Sequence, residues 1–242
     1  MIARARQPWD ERQQGADTIA STEDDVHRIL HLTALGTLKI RSLRFVKDIA
    51  ITKPIVIPVA LRGLRIVATP GVRLIPSKVI AQAFKVQAEN VSIIGVDAAA
   101  PSSSRVFSSF VTLDTAQTTD RFTLEGCHLL VGKIVEAPAL SGSGSSSYCR
   151  VVGNHAEALF GGGLAIQAPG IYWLIHGNTV IGYADAIALV GVDAGFARIH
   201  ANGCGGGSID TTAGVGMSTI VGNVNAGPPL NTHATDAVGL NT

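Results

Sequence analysis

Tyr148, Tyr172 and Phe196 stand 24 residues apart, and each opens a phrase that carries further chemistry two and four residues on. Two residues on lie Arg150, Leu174 and Arg198, and four residues on lie Val152, His176 and His200. Aromatic rings stack on the apolar faces of sugars, while guanidinium and imidazole groups bond to hydroxyls or carboxylates. Tyr148, Arg150, Tyr172, His176, Phe196, Arg198 and His200 are therefore candidate glycan-binding residues. Aromatics and arginine are also enriched where subunits meet, so the same residues suit an interface between chains. Substituting Tyr172 and Arg198 separates the two: one predicts lost binding to cells with the oligomer intact, the other dissociation.

Hydrolases and lyases acting on glycans need two carboxylates, or a carboxylate and a base, on one face. Asp185 and Asp210 are the candidate pair, seven residues after Asn178 and eight after Asn202. Both sit beside Gly- or Thr-rich turns, where Asp is an ordinary turn residue. His176 and His200 share a spacing but have no third ligand in their column, so no metal or cofactor is expected. His128 and His155 read as solvent-facing turn residues. Cys127, Cys149 and Cys204 have no CxxC spacing and read as buried thiols. The runs 161–163, 205–207 and 141–147 read as loops, since none has the Gly-x4-Gly-Lys-Ser/Thr pattern of a phosphate cradle. At the chain start Arg4, Arg6 and Arg12 surround Pro8 and Trp9, a composition suited to an extended peptide that docks in a partner's groove.

Something must hold the 24-residue spacing in register. Four phrases do so: Val151-Val152-Gly153-Asn154, Ile175-His176-Gly177-Asn178, Ile199-His200-Ala201-Asn202 and Ile220-Val221-Gly222-Asn223. Leu124-Glu125-Gly126-Cys127 is an earlier variant with Cys for Asn. A period near 24 accommodates three short strands and three turns, one rung of a parallel β-helix, whereas helical repeats need longer periods. The residue three before each Asn is apolar and should point inward; the one just before is Gly or Ala, fitting a tight corner. Stacked at strand spacing, the amides can bond to one another. Positions two, four and six before Asn then face outward.

Ser21 to Asp25 puts hydroxyl caps before three acids, with Val26, Ile29, Leu30 and Leu35 on one helical face, predicting a helix stopped by Gly36. A solenoid exposes its first rung, so this helix is its expected plug. The fold expected is all-β: a right-handed parallel β-helix with an arm over 1–20, a capping helix over 21–35, the β-helix over 36–225 and a tail over 226–242. The last rung must be covered by the tail or by another subunit.

In layout the sequence resembles the pectate-lyase-like β-helix superfamily, in particular phage tailspikes and the head spikes or fibres of tailed phages and gene transfer agents. The resemblance rests on the arm, the helix, the stretch IVIPVALRGLRIVATPGVRLIPS and the rungs ending in Asn. It implies a homotrimeric virion appendage, docked to other virion proteins by its N-terminus, whose β-helix meets host surface polysaccharide. The enzymatic alternative is a polysaccharide lyase or glycosidase centred on Asp185 and Asp210, but depolymerising members are longer and richer in acids. A non-enzymatic spike is the expectation.

Composition agrees with a packed core: 46% of the 242 residues are hydrophobic, only 15% charged and 5% aromatic, so small and β-branched side chains must build it. Net charge of +1 argues against nucleic-acid binding by bulk electrostatics. The opening MIARARQPWDERQQ lacks the apolar run of a signal peptide, and no membrane-length apolar run occurs. Cytoplasmic synthesis followed by display on a particle surface is the expected course.

Overall fold

The computed structural model describes residues 16–114, 117–136, 146–158, 163–205, 207–225 and 230–241. Most of its strands are short because inward apolar residues alternate with outward polar ones for only a few positions before a Gly, Asn or Pro intervenes, while Ile80–Val86, Phe107–Leu113, Leu164–Ile171 and Asp185–Gly195 run longer. Three such strands make one turn of chain, and each pairs in parallel with its counterpart in the next turn. The chain is a parallel β-helix.

Sheet 1 has ten strands: Ala16–Ala20, Ile40–Phe45, Arg65–Ala68, Ser92–Ile94, Thr123–Glu125, Arg150–Val152, Leu174–His176, Arg198–His200, Thr219–Val221 and Ala237–Val238. Sheet 2 has eight, running from Ile49–Ile51 to Val224–Asn225, and sheet 3 has seven, from Ile55–Ile57 to Ser208–Asp210. Ile66, Ile93, Leu124, Val151, Ile175, Ile199 and Ile220 stack in register and are fully buried. Burying each such side chain is worth about 1.5–3 kcal/mol, so this one column is a main source of stability.

The amide ladder forms as the spacing requires. Asn154, Asn178, Asn202 and Asn223 are buried at the corner between sheets 1 and 2. Asn154 donates from its backbone N and its Nδ2 to Asn178 Oδ1, at 3.0 and 2.9 Å. Asn178 does the same to Asn202 at 3.0 and 2.9 Å, and Asn202 to Asn223 at 3.0 and 2.8 Å. Each second amide hydrogen goes to the carbonyl of an inward residue, as from Asn178 Nδ2 to Val151 O at 2.8 Å. The buried amides are thus satisfied, which is the condition for burying them. Cys127 begins the ladder with its backbone N alone, donating to Asn154 Oδ1 at 3.0 Å.

The residue before each Asn adopts a left-handed conformation, with φ of 63° at Gly153, 64° at Gly177, 67° at Gly222 and 55° at Ala201. That turn aims its N–H at the next rung: Gly153 N donates to His176 O at 2.9 Å. Glycine is favoured because the conformation costs an L-residue about 1–2 kcal/mol.

The helix is Glu23–Ala34, with Thr22 as N-cap accepting from Asp25 N at 3.1 Å. Val26, Ile29 and Leu30 are buried against the first turn, whereas Leu35, expected on that face, is the exposed C-cap. The helix lies over sheets 2 and 3 where they begin. Sheet 1 is covered differently: Ala16–Ala20, placed in the arm by the sequence, is a strand paired in parallel with Ile40–Phe45. Its pattern ADTIA is too short and polar to stand out. At the other end the tail adds Ala237–Val238 to sheet 1, and Asn241 Oδ1 accepts from Asn223 N and Nδ2 at 2.9 and 3.0 Å. The tail therefore extends the ladder.

Acid should loosen the plug. Hydrogen bonds from Ser21 N, Thr22 and Ser21 Oγ hold the Asp25 carboxyl down to about 2. At Glu23 burial is the largest single influence and pushes upward, yet donation from Thr52 N and Oγ1 and Lys53 N leaves its carboxyl below the ordinary value. Both are depressed on folding, so the stability they add is present above about pH 4 and falls as pH drops toward 2. Hydrogen exchange at Val26, Ile29 and Leu30 is expected to accelerate in that window relative to amides of the ladder corners.

Candidate functional site

The outer face of sheet 1 carries the seven residues singled out by spacing, and the structure brings them together. Arg150, Leu174, Arg198 and Thr219 pair in register as one outward column, and Val152, His176, His200 and Val221 as a second. Tyr148, Tyr172, Phe196 and Met217 form a third at the turn leading into the sheet. Their neighbours one residue on, Cys149, Trp173, Ala197 and Ser218, are buried, so the direction of each side chain follows strand alternation.

The rings form a stack. Tyr148 and Tyr172 have centroids 5.0 Å apart with planes 18° from parallel, and Tyr172 and Phe196 are 5.3 Å apart at 29°. They remain open to solvent, at 52, 45 and 36% relative exposure. The His176 and His200 rings meet with centroids 4.2 Å apart and planes tilted by 35°. Partial burial, and then the neighbouring His176 and Arg198, hold the His200 imidazole below its ordinary value.

Alternation did not foresee the backbone of the aromatic column. Tyr148, Tyr172, Phe196 and Met217 have φ of 59°, 61°, 52° and 61°, as does Arg121 at 59° one rung earlier. Each points its N–H along the stack: Tyr148 N donates to Ile171 O at 2.9 Å, Tyr172 N to Gly195 O at 3.1 Å and Phe196 N to Gly216 O at 3.0 Å. The same turn in the first rungs uses Gly63 and Asn90, residue types that reach this conformation cheaply. For bulky side chains a positive φ is an outlier, and strain of about 1–3 kcal/mol is kept where the surroundings enforce it, often at functional sites. Arg121 thus joins the candidate residues; the signal that could have found it is its place 27 residues before Tyr148, matching Cys127 to Asn154.

Asp185 and Asp210 are on adjacent strands of sheet 3 but not opposite one another. Asp185 pairs with Ser208, and Asp210 with Ala188. Asp185 Oδ1 accepts from Ser208 Oγ, and Asp210 Oδ1 from Thr212 N and Oγ1 at 2.9 and 2.7 Å, so both carboxylates brace local structure. Among the described residues no group of three or more His, Cys, Asp or Glu could hold a metal ion.

His128 and His155 begin strands of sheet 2 rather than occupying turns, and their rings meet at 4.7 Å. His128, with Arg73, Asp97 and Glu157, lines a shallow depression of about 230 Å³. Gly205 ends the strand Gly203–Gly205 instead of sitting in a loop. Of the Ser-Gly run, 141–145 lie outside the described residues, while Ser146 and Ser147 are buried and Ser147 N donates to Asp120 Oδ1 at 2.7 Å. The docking candidates Arg4, Arg6, Pro8, Trp9 and Arg12 lie outside the described residues. Among the described residues no helix is long and apolar enough to cross a membrane.

The chain matches no protein-family model, no curated protein and no solved structure. What it can do must be argued from its own geometry. The outer face of sheet 1 presents a column of mutually stacked rings, their edges open to solvent at one rung spacing, beside arginine and histidine, which suits an extended polymer lying along the column.

Proposed function

We propose that this chain is a non-enzymatic spike or fibre of a phage or phage-like particle that holds host cell-surface polysaccharide on the outer face of sheet 1. In this reading it is displayed on the particle as a homotrimer, with Arg4, Arg6, Pro8, Trp9 and Arg12 docking to other virion proteins. The observation that carries the glycan assignment is the exposed stack of Tyr148, Tyr172 and Phe196, kept in a backbone conformation that smaller residues adopt at less cost. The particle and the trimer come from the likeness to tailspikes and fibres in layout.

Tyr172→Asn tests the assignment, because Asn accepts the positive φ while removing the ring. Stability is expected to stay within about 1 kcal/mol of the parent, and binding to cells to fall at least about tenfold, the loss of about 1.4 kcal/mol of ring contact. Unchanged cell binding rejects the glycan face; dissociation of the oligomer assigns it instead to an interface between chains. Deleting residues 2–15 is expected to abolish incorporation into particles while the β-helix stays folded, read by particle association and circular dichroism. Normal incorporation ends the docking proposal.

The lyase or glycosidase reading has less behind it. It needs a carboxylate pair facing one reacting atom, and Asp185 and Asp210 are out of register and occupied.

A further inference from the structure

Residues 81–242 carry 6 Lys and Arg against 11 Asp and Glu, yet the outer face of sheet 1 in that region is basic. Three of the six, Arg121, Arg150 and Arg198, stand on it, all exposed. The others are placed differently: Lys85 pairs with Asp114 at 3.1 Å, Lys133 pairs with Glu136 at 2.7 Å, and Arg105 lies in the turn bridged to Ser102. No described carboxylate forms an ion pair with Arg121, Arg150 or Arg198. Glu125, in the column that continues through Val152 to His176, is the acid that shares the face. Nearby Asp120 is turned to the backbone, accepting from Ser147 N at 2.7 Å. Concentrating free guanidinium groups on one face of an otherwise acidic region creates a local positive potential that attracts anions.

The spacing adds a constraint. Arg150 and Arg198 occupy the same column with Leu174 between them, so they are two rungs apart, or ~9.5 Å at the usual strand separation. The rings recur at every rung, at 5.0 and 5.3 Å. A ligand matching both meets a ring edge at each step and carries a negative charge at every second step. From this we infer that the face takes an acidic polysaccharide lying along the solenoid axis, with a carboxylate or sulfate on alternate sugars. Arg150 and Arg198 receive the acids as forked, charge-assisted hydrogen bonds, the outward edges of Tyr148, Tyr172 and Phe196 line the sugars between, and Arg121 extends the basic strip by one rung.

This rests on the glycan-binding reading above, and the test separates the two. The intact protein is presented with a panel of acidic polysaccharides, hyaluronan among them, each paired with the same polymer whose carboxylates have been reduced to alcohols or whose sulfates have been removed. At least one acidic polymer is expected to bind about tenfold or more tighter than its neutral counterpart, with affinity falling as salt rises. The double variant Arg150→Gln, Arg198→Gln, at two exposed positions, is expected to keep its circular dichroism spectrum and to erase that preference. Equal binding of acidic and neutral partners, or a preference that survives the double variant, overturns the inference and leaves glycan binding standing. Binding to no polysaccharide on the panel, acidic or neutral, overturns both.

Discussion

Asn178→Asp is expected to destabilise the solenoid by about 3–5 kcal/mol at neutral pH, although it changes one atom in the middle of the chain. Asn178 Nδ2 donates to Val151 O at 2.8 Å and to Asn202 Oδ1 at 2.9 Å, while its Oδ1 accepts from Asn154. A carboxylate keeps the accepting role but faces two oxygens with a third, as a buried charge. The introduced acid will therefore have a folded pKa raised above its unfolded value near 3.9. The sign follows: the deficit is complete above the folded pKa, shrinks as pH falls below it and, below about pH 4, is reduced to the smaller cost of an acid that donates one hydrogen where the amide donates two. Denaturant titration of parent and variant at several pH values measures this; a deficit that does not change with pH would show that the amide hydrogens are not what the ladder depends on.

Trp173→Ala should have a comparable effect, about 3–5 kcal/mol, for a different reason. Trp173 is fully buried, and its Nε1 donates to Ser146 O and Pro169 O, each at 2.6 Å. Its column runs Phe122, Cys149, Trp173, Ala197, Ser218, so the largest side chain is flanked by small ones that leave room for it. Those neighbours cannot expand into the cavity when the indole is removed. Trp173→Phe keeps most of the volume and loses the hydrogen bonds, so about 1–2 kcal/mol is expected there. Because solenoid turns are coupled chiefly to their neighbours, faster hydrogen exchange should concentrate in Arg150–Val152, Leu174–His176 and Arg198–His200 and fade toward Ser92–Ile94. Uniform acceleration along the chain would mean that the solenoid unfolds as one unit.

The two predictions mark how far the candidate face depends on what lies beneath it. The ladder fixes vertical register, and register is what brings Tyr148, Tyr172 and Phe196 into a stack. Trp173 fills the layer directly under that stack. Loss of binding in either variant would therefore be indirect, which is why exposed positions such as Tyr172, Arg150 and Arg198 carry the functional tests.

Legibility varied along the chain. The rungs from Val151 to Asn223 could be read because the same three requirements, an inward apolar residue, a corner residue and a bonding amide, recur at fixed intervals. Earlier rungs have the same shape without the signal: Val96 and Cys127 stand where the amides would be, and buried apolar side chains there need no specific residue type. The tail was hidden by its spacing, since Asn241 follows Asn223 by 18 residues rather than 21 or 24, the sheet 3 leg of that turn being reduced to the bridge between Asn231 and Asp210. Residues 16–20 pair with a strand 24 residues on, a contact that local pattern does not encode.

By itself the amino-acid sequence determined the period, the inward and outward sides of sheet 1 and the capping helix, because alternation and corner chemistry are local properties of a few consecutive residues. The tertiary structure alone decided that Tyr148, Tyr172, Phe196 and Met217 sit in left-handed turns, that Arg121 belongs with them and that Asp185 and Asp210 pair with Ser208 and Ala188 rather than with each other. Each depends on which carbonyl or strand the next turn of the solenoid places alongside. A backbone N–H turns to find that partner, and where it is found is set by neighbours one turn of the solenoid away, about 18 to 26 residues along the chain.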